Sequence, residues 1–347
     1  MTLSQRIRLL VKLGAYMQGN SEAWQDTKER AFRSNGWFLP DFINRSVQNI
    51  AAAFLQEPLL KSWTEAYPRL AAADQEPRLV GLVMAGNIPL VGFHDLLCVF
   101  ISGHHCLVKA SSKDETLIHH LVAQMISWEP EVAERIRFST LLKGCDAYIA
   151  TGSDNTAGYF DYYFAKYPHL IRRNRTSVAI LTGNETQAGL GALADDICLY
   201  FGRGCRNVTQ VYVPEQYDFE PLLEALKKYD YLADVHKYKN NYDYNLALYL
   251  LNNRFYMSTP ALLLVEDAGL FSPVSQLNYS FYNNRSALMN ELAANPSVQC
   301  MTGDDGIPFG SAQSPALNQY ADGEDTLAFL ISLNEGTFNK TAFHNEG

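Results

Sequence analysis

A strand–helix–strand pattern occupies residues 78–112, RLVGLVMAGNIPLVGFHDLLCVFISGHHCLVKASS. The first apolar run, 78–86, ends in glycine and has the near-continuous hydrophobicity of a buried parallel strand. The run 88–103 predicts a buried helix, with Pro89 close to its first turn. Residues 105–111 predict the next strand. Two parallel strands joined by a crossover helix form the basic unit of α/β folds, so this stretch places the chain in that class.

The same alternation continues along most of the chain, after an N-terminal part (1–75) whose apolar spacing is helical. Further strands are predicted over 147–153, 176–183, 208–214, 259–267 and 298–303. Helices are predicted over 118–128, 154–167, 219–229, 244–253 and 285–296. Ser112 and Glu115 have the spacing of a capping box that opens the first of these helices. The apolar segment DTLAFLISL (325–333) predicts a late strand. We therefore expect parallel sheets with helices on both faces.

Composition excludes several classes of function. The chain has 347 residues, 47% of them hydrophobic and 19% charged, and its formal net charge is −9 without a long basic run. A nucleic-acid partner is therefore not expected. His94 and Asp95 interrupt the longest apolar stretch, which predicts no membrane span. The N-terminus is amphipathic and charged, unlike a signal peptide, so a cytoplasmic location is expected. None of the six cysteines has the spacing of a zinc ligand, and no metal is expected.

Cys205 lies in FGRGCRN (201–207), between a predicted helix and a predicted strand. Arg203 and Arg206 flank it, and nearby cations favour the thiolate form of a cysteine. Glycines beside it permit unusual backbone angles and close approach of a ligand. The alternative for the two arginines is a surface ion pair with Asp195 or Asp196. Cys98, Cys106 and Cys198 lie in apolar segments and are predicted to be buried.

Three predicted strands end in short polar turns. These turns are AGN (85–87), KASS (109–112) and TGS (151–153). Backbone N–H groups in such turns, together with a following helix N-terminus, can bind phosphate, and Lys109 adds a positive charge. Ser111 and Ser112 are therefore candidate cofactor ligands. The chain has neither a GxGxxG nor a Walker motif, so each turn alone is a weak signal.

The ordered set of motifs resembles the aldehyde dehydrogenase superfamily. MAGNIPLVGFHDLLCVFISGHHCLVKASS, YIATGS, FGRGC and IPFG occur in the order of that family. The tail FGSAQSPALNQYADGEDTLAFL is similar to that of the LuxC-type acyl-CoA reductases, the fatty-acid reductase component of bacterial bioluminescence. The resemblance covers roughly residues 78–332. It implies two Rossmann-like parallel-sheet domains with helices on both faces and the active site between them.

The resemblance assigns roles position by position. Cys205 matches the nucleophile, and Asn87 matches the side-chain donor of the oxyanion hole. Lys109 matches the lysine that binds the adenosine ribose of the cofactor, and Gly152 and Ser153 match a turn near its pyrophosphate.

Two departures from the family pattern stand out. The general-base glutamate of aldehyde-oxidising members has no acidic counterpart near Ile171. Gly269 stands where a glutamate binds the nicotinamide ribose, with Glu266 and Asp267 as nearby substitutes.

These matches imply NADPH-dependent reduction of a fatty acyl-CoA to the aldehyde through a thioacyl-cysteine intermediate. Ser112 replaces the glutamate of NAD-preferring members and Lys113 follows it, so NADP(H) is the expected cofactor. Two alternatives remain open: reduction of an acyl phosphate, and a non-catalytic subunit for an acyltransferase or synthetase.

The predicted organisation has three parts. Residues 1–175 form a helical segment plus the dinucleotide-binding domain, 176–304 form the catalytic domain, and 305–347 return to the cofactor domain and an oligomer interface. A homo-oligomer is expected, since the late tail of the family commonly extends a neighbour's sheet. An acyl-protein synthetase is a further expected partner. The aromatic run 159–167 is interpreted as packing between helix and sheet, with the wall of an acyl tunnel as the alternative.

Overall fold

The computed structural model of the chain describes residues 1–72, 76–152 and 154–334. The chain divides into two compact units. The first contains Met1–Arg173 and the described residues from Ala316 onward, and the second contains Asn174–Pro315. Each unit is built on one sheet, as expected for an α/β protein.

The first unit contains a five-stranded parallel sheet with the strand order β3–β2–β1–β4–β5. Its strands are β1 Leu79–Val83, β2 His105–Lys109, β3 Ile136–Phe138, β4 Ala147–Thr151 and β5 His169–Arg172. The predicted strands at 78–86, 105–111 and 147–153 are confirmed, whereas β3 and β5 were not predicted. Because every strand is parallel, the residues that follow β1, β2 and β4 lie at one edge of the sheet.

The helices of this unit begin with four before the sheet and continue between its strands. They are α1 Leu3–Gln18, α2 Glu22–Ser34, α3 Pro40–Phe54, α4 Glu57–Glu65, α5 Phe93–Ser102, α6 Glu115–Trp128, α7 Val132–Arg135 and α8 Asp154–Phe164. The predicted capping box is wrong. Asp114 directly precedes α6 and does not bond its first turn with its side chain, and Ser112 lies two residues further out.

The aromatic run on α8 differs from its predicted packing. Phe164 stacks on Tyr148 of β4 with ring centroids 4.0 Å apart. Tyr159, Tyr162 and Tyr163 are instead exposed, with 67–80% of their surface accessible in this chain. The interpretation as packing between helix and sheet therefore holds for Phe164 and fails for these three tyrosines.

The second unit contains a six-stranded sheet with the order β11–β6–β7–β10–β9–β8. Its strands are β6 Thr176–Ile180, β7 Val208–Pro214, β8 Met257–Ser258, β9 Leu263–Glu266, β10 Gln276–Tyr282 and β11 Val298–Thr302. Its helices are α9 Gln187–Cys198, α10 Glu220–Leu226, α11 His236–Leu251 and α12 Arg285–Ala293. The strands pair in parallel except for β8, which is antiparallel to β9, so this sheet is mixed rather than purely parallel.

The late apolar segment is a helix, and the predicted strand over 325–333 is wrong. Thr326–Ser332 forms α13, whose first turn is capped because the Asp325 carboxylate accepts the Ala328 N–H at 2.8 Å. Leu327, Phe329 and Leu330 of α13 are buried in the first unit. Such a short apolar run does not distinguish a buried strand from a buried helix. Consequently, this segment does not supply a strand to a neighbour's sheet.

A buried ion pair connects α13 to the sheet of its own unit. Arg172, the last residue of β5, donates to the Asp95 carboxylate on α5 at 2.7 Å and to the Thr326 hydroxyl at 2.7 Å. Burial lowers the pKa of Arg172, but the attraction and hydrogen bond of Asp95 outweigh it, so the net shift is upward. The guanidinium is therefore fixed as a charged link between three elements.

Among the described residues, no helix combines the length and apolar composition required to cross a bilayer.

Candidate active site

Cys205 lies on an irregular segment between α9 and β7, residues 199–207, which we call the cysteine loop. Three successive residues of this loop have positive φ: Tyr200 at 55°, Phe201 at 61° and Gly202 at 70°. A non-glycine residue in this region costs roughly 1–2 kcal/mol, so the surrounding structure must hold the loop in place.

Asn207 holds the cysteine loop from within. Its side-chain oxygen accepts the Gly204 N–H at 2.7 Å, and its side-chain nitrogen donates to the Leu199 carbonyl at 2.8 Å and the Asp196 carbonyl at 3.0 Å. Asn207 is fully buried, and buried amides that lose such partners are costly. One side chain therefore connects the end of α9 to the residue directly before Cys205. No sequence motif indicated this role.

The environments of the six cysteines differ. None forms a disulfide, and Cys98, Cys106, Cys145 and Cys198 are buried. Burial raises the pKa of each of these four thiols, which keeps them protonated and unreactive. The predicted burial of Cys98, Cys106 and Cys198 is confirmed. Cys205 and Cys300 are only partly buried.

Ser177 links Cys205 and Cys300. Its hydroxyl donates to the Cys205 backbone carbonyl at 3.0 Å and lies 3.0 Å from the Cys300 sulfur. Burial raises the pKa of the Cys300 thiol, although Ser177 and Arg206 oppose the shift. Cys300 is therefore less suited than an exposed thiol to act as a nucleophile at neutral pH.

The two arginines around Cys205 have different surroundings. Arg206 donates to the Ala312 carbonyl at 3.5 Å and is close enough to Cys300 to lower its pKa. Burial lowers the pKa of Arg203. Asp195, considered above as an ion-pair partner, accepts hydrogen bonds from Lys228 and from the Tyr229 hydroxyl.

Asp196 joins the cysteine loop to the end of IPFG and the residues directly after it. Its carboxylate accepts the Gly310 N–H at 2.7 Å and the Ala312 N–H at 3.1 Å, while its backbone carbonyl accepts from Asn207. Burial raises the pKa of Asp196 to about 6, against the effect of these two N–H groups. Asp196 therefore connects Gly310 of IPFG, through its carboxylate, to Asn207 of the cysteine loop, through its backbone carbonyl.

Asn87 and Lys109 occupy neighbouring segments at the carboxyl edge of the sheet in the first unit. We call residues 84–92 the Asn87 turn and residues 109–114 the Lys109 turn. The strands before them pair in register, with Val83 opposite Lys109, and the Met84 N–H donates to the Lys109 carbonyl at 3.0 Å. A Cβ atom on Gly86 would lie 2.4 Å from the Ser111 hydroxyl, so only glycine permits this approach. Asn87, Lys109, Ser111 and Ser112 are thus brought together.

The Gly152 turn is placed at the same edge but is bonded differently. The Gly152 N–H donates to the Arg172 carbonyl at 3.3 Å, so it takes part in the sheet rather than pointing to a ligand. Ser153, the other predicted residue of this turn, lies outside the described residues. No cluster of three or more His, Cys, Asp or Glu side chains suited to a metal occurs in the described part of the chain.

Comparison with known proteins gives the family. The model of the family described as acyl-CoA reductase (LuxC) matches residues 25–229, more than half of the chain. The chain belongs to the LuxC family. The resemblance stated from its motifs is therefore confirmed.

Two curated proteins named as thioester reductases are similar to this LuxC family chain. Long-chain acyl-protein thioester reductase 2 of Photobacterium leiognathi is 24% identical over 187 residues, which is 48% of this chain and 39% of that protein. Long-chain acyl-protein thioester reductase of Aliivibrio fischeri is 24% identical over 146 residues, which is 38% of this chain and 30% of that protein. The matched parts thus span well under half of these relatives.

Solved structures show the fold of the LuxC family chain. Aldehyde dehydrogenase 21 from Physcomitrella patens, in complex with succinate, has a TM-score of 0.67 at 11% identity, covering 96% of this chain and 85% of that one. Mycobacterium tuberculosis aldehyde dehydrogenase, complexed with NAD+, has a TM-score of 0.66 at 11% identity, with 96% and 84% covered. The predicted aldehyde-dehydrogenase-like fold is confirmed.

The two departures from the superfamily pattern have local structural explanations. Ile171 is a half-buried residue of β5, in the middle of a parallel ladder. Gly269 is exposed; its N–H donates to the Asp267 carboxylate at 2.8 Å, and its carbonyl accepts from Asn278 at 2.8 Å. Asp267 also pairs with Arg254 at 3.8 Å. This LuxC family chain therefore uses Asp267 to stabilise its own loop.

Proposed function

We propose that this chain reduces a fatty acyl thioester to the aldehyde, with Cys205 as the nucleophile and a nicotinamide cofactor as the reductant. The observation that carries the proposal is the position of Cys205. It is a partly buried thiol on a loop that Asn207 and Ser177 hold in an otherwise unfavourable conformation, in a chain of the LuxC family. Strained loops held by their surroundings are typical of functional sites.

Attack by the Cys205 thiolate on the acyl carbonyl releases the carrier thiol and leaves a thioester on the protein. The negative charge that develops on the carbonyl oxygen requires donors, and we assign them to the Asn87 side-chain amide and the Cys205 backbone N–H.

The residues of the first unit suit a dinucleotide. Gly86 approaches Ser111 closely without a side chain of its own, and Lys109 and Ser112 are exposed on the same turn. When bound there, the reduced nicotinamide cofactor supplies the hydride that converts the thioester to the aldehyde level. Lys109, Ser111 and Ser112 would hold its ribose and phosphates, together with the Gly152–Ser153 turn. Lys113 and the neutral Ser112 favour NADP(H), because neither repels a 2′-phosphate.

An apolar residue at the position of the family's general base supports reduction over aldehyde oxidation. A glutamate at the position of Ile171 would activate water and hydrolyse the thioester to the acid. The apolar side chain of Ile171 in β5 has no such ability. The thioester therefore persists until hydride transfer.

The identity of the thiol carrier is a further part of the proposal. We propose acyl-CoA, in agreement with the description of the family. The relatives are named for acyl-protein thioesters, which favours a protein-bound acyl group as the second candidate. An acyl-protein synthetase would then be the partner. We further propose a cytoplasmic homo-oligomer, for which the mass of the purified chain by light scattering is the test.

The experiment follows oxidation of NADPH by its absorbance in the presence of palmitoyl-CoA, of an acylated carrier protein or of an acyl phosphate. Oxidation with palmitoyl-CoA that is lost in Cys205→Ala and retained in Cys300→Ala supports the proposal. Oxidation with acyl phosphate only would replace it by an acyl-phosphate reductase. No oxidation with any substrate would favour a non-catalytic subunit.

A further inference from the structure

The Asn87 turn contains a strained residue whose conformation is imposed from outside. Leu90 is buried and has φ of 58°, a region that a leucine rarely adopts. Its N–H donates to the Asp114 carboxylate at 2.6 Å, and the carbonyl of the preceding Pro89 accepts from the Ser46 hydroxyl at 2.7 Å. Two side chains from distant elements therefore fix the turn that carries Asn87.

The position of Asp114 directly before α6 does not explain why its side chain is buried. Residues there commonly cap the helix, but the Asp114 side chain makes no such bond and reaches Leu90 instead. The side chain is buried, and its second oxygen has no hydrogen-bond partner among the described residues. Burial also raises the pKa of Asp114 well above its usual range. Keeping such a group buried is costly, so its contact with the Asn87 turn requires an explanation.

Asp114 is also part of the Lys109 turn, where the cofactor ribose is proposed to bind. Its N–H donates to the Ser111 carbonyl at 2.9 Å, and the Lys113 N–H donates to the Ser111 hydroxyl at 3.3 Å. Ser111 in turn packs against Gly86 of the Asn87 turn. The two turns thus touch at several points, among them the Met84–Lys109 backbone hydrogen bond and the Asp114–Leu90 hydrogen bond.

We infer that Asp114 is a positioning residue that transmits occupation of the Lys109 turn by a dinucleotide to the Asn87 turn. A ligand that orders the Lys109 turn fixes Asp114, and Asp114 then holds the Leu90 N–H and orients Asn87, three residues earlier. The inference rests on the proposed function, because it assumes a nucleotide at Lys109 and a donor role for Asn87. The new element is the structural link between the nucleotide at Lys109 and the donor Asn87.

Amide hydrogen exchange tests the link without measuring activity. NADPH should slow exchange in peptides covering 109–114 and in peptides covering 87–93 of the wild-type chain. In Asp114→Ser, the shorter hydroxyl can cap α6 but cannot reach Leu90, so NADPH should protect 109–114 only. Ser46→Ala is the matched control, because it removes the other support of the turn and should keep both responses.

Two results would overturn the inference while leaving the proposed cofactor site intact. Protection of 109–114 without any change in 87–93 of the wild type would show that the turns are not coupled. Protection of both segments in Asp114→Ser would show that coupling does not pass through this carboxyl group. Failure of NADPH to protect 109–114 at all would instead contradict the proposed cofactor site, and the inference with it.

Kinetics supply a second readout and a check on folding. Asp114→Asn keeps an oxygen that accepts the Leu90 N–H and should stay within a few-fold of wild-type kcat. Asp114→Ser should lower kcat by roughly ten- to a hundredfold, the scale expected when a catalytic group is misplaced. Combined with Asn87→Ala, it should cause no further loss, since both act through one donor. Additive losses in the double variant would contradict a positioning role.

Discussion

The cysteine loop and the Asn87 turn both contain residues in unfavourable backbone conformations, but different contacts hold them in place. Each contains non-glycine residues with positive φ, Tyr200 and Phe201 in the loop and Leu90 in the turn. Asn207 holds the loop through bonds that include the Gly204 N–H, only three positions away. Ser46 and Asp114 hold the turn from 43 and 24 positions away in sequence. The loop is therefore fixed in part by Asn207, one of its own residues, whereas both of these supports of the turn come from outside it.

Removing Asn207 should give the largest change in stability. Asn207→Ala leaves the Gly204 N–H and three carbonyls of the α9 end without their partner, so the free energy of unfolding should fall by about 3–5 kcal/mol. Urea denaturation measures this loss. Asn245→Ala is the control, because that buried amide donates to a single carbonyl and should cost about 1 kcal/mol. Equal losses in the two variants would show that the cysteine loop does not depend on Asn207.

Removing the Asn87 amide should impair chemistry more than stability. Loss of one oxyanion donor is expected to lower kcat by about 10²–10³-fold, because the developing charge loses its side-chain donor. Steady-state kinetics with palmitoyl-CoA should show this loss in kcat rather than in KM. An Asn87→Ala variant with wild-type kcat would remove Asn87 from the mechanism.

The raised pKa of Asp196 predicts how the free energy of unfolding depends on pH. Burial raises the pKa of this carboxyl from its ordinary value to about 6, so the folded chain binds this proton more tightly than the unfolded chain. The contribution is therefore present at pH 4 and is lost as the pH rises through 6. Between pH 4 and 7, the wild type should lose about 2–3 kcal/mol relative to Asp196→Asn. If the free energies of unfolding of the wild type and of Asp196→Asn changed equally with pH, the raised pKa of Asp196 would be contradicted.

A charge placed in the Lys109 turn should have the smallest effect, on cofactor choice alone. Ser112→Glu introduces a carboxylate beside the 2′-phosphate and should lower the preference for NADPH over NADH by about tenfold. Ser112→Gln has a similar shape without the charge and serves as the control. The ratio of kcat/KM values for the two cofactors is the measurement. Equal ratios in the two variants would place the 2′-phosphate elsewhere.

The sequence predicted the fold best in segments whose side chains form a continuous apolar run. The apolar runs before Asn87 and Lys109 form buried parallel strands, and their carboxyl ends meet as expected. The strand β10 was missed because it buries polar residues. The Gln276 side-chain amide donates to the Asn278 side-chain oxygen at 2.8 Å, two positions along the same strand, and a hydropathy pattern does not reveal such a pair of buried polar side chains. The helix α13 was predicted as a strand because its short apolar run is buried on all sides.

The candidate site was predicted only in part from motifs. Glycines beside Cys205 and the turns after β1 and β2 drew attention to the relevant segments. Asn207 and Asp114 were not identified, since an asparagine before a strand and an acid before a helix are ordinary residues at such positions. Their roles depend on partners in α9 and in the Asn87 turn, which only the folded chain brings together.

The most direct test of a thioacyl intermediate at Cys205 is the intact mass of the protein after incubation with palmitoyl-CoA in the absence of nucleotide. We predict one added palmitoyl group, mapped by peptide analysis to Cys205, released as aldehyde on addition of NADPH, and absent from Cys205→Ala. An acyl group on another residue, or an unchanged mass in a protein that nonetheless reduces the substrate, would contradict a thioacyl intermediate at Cys205.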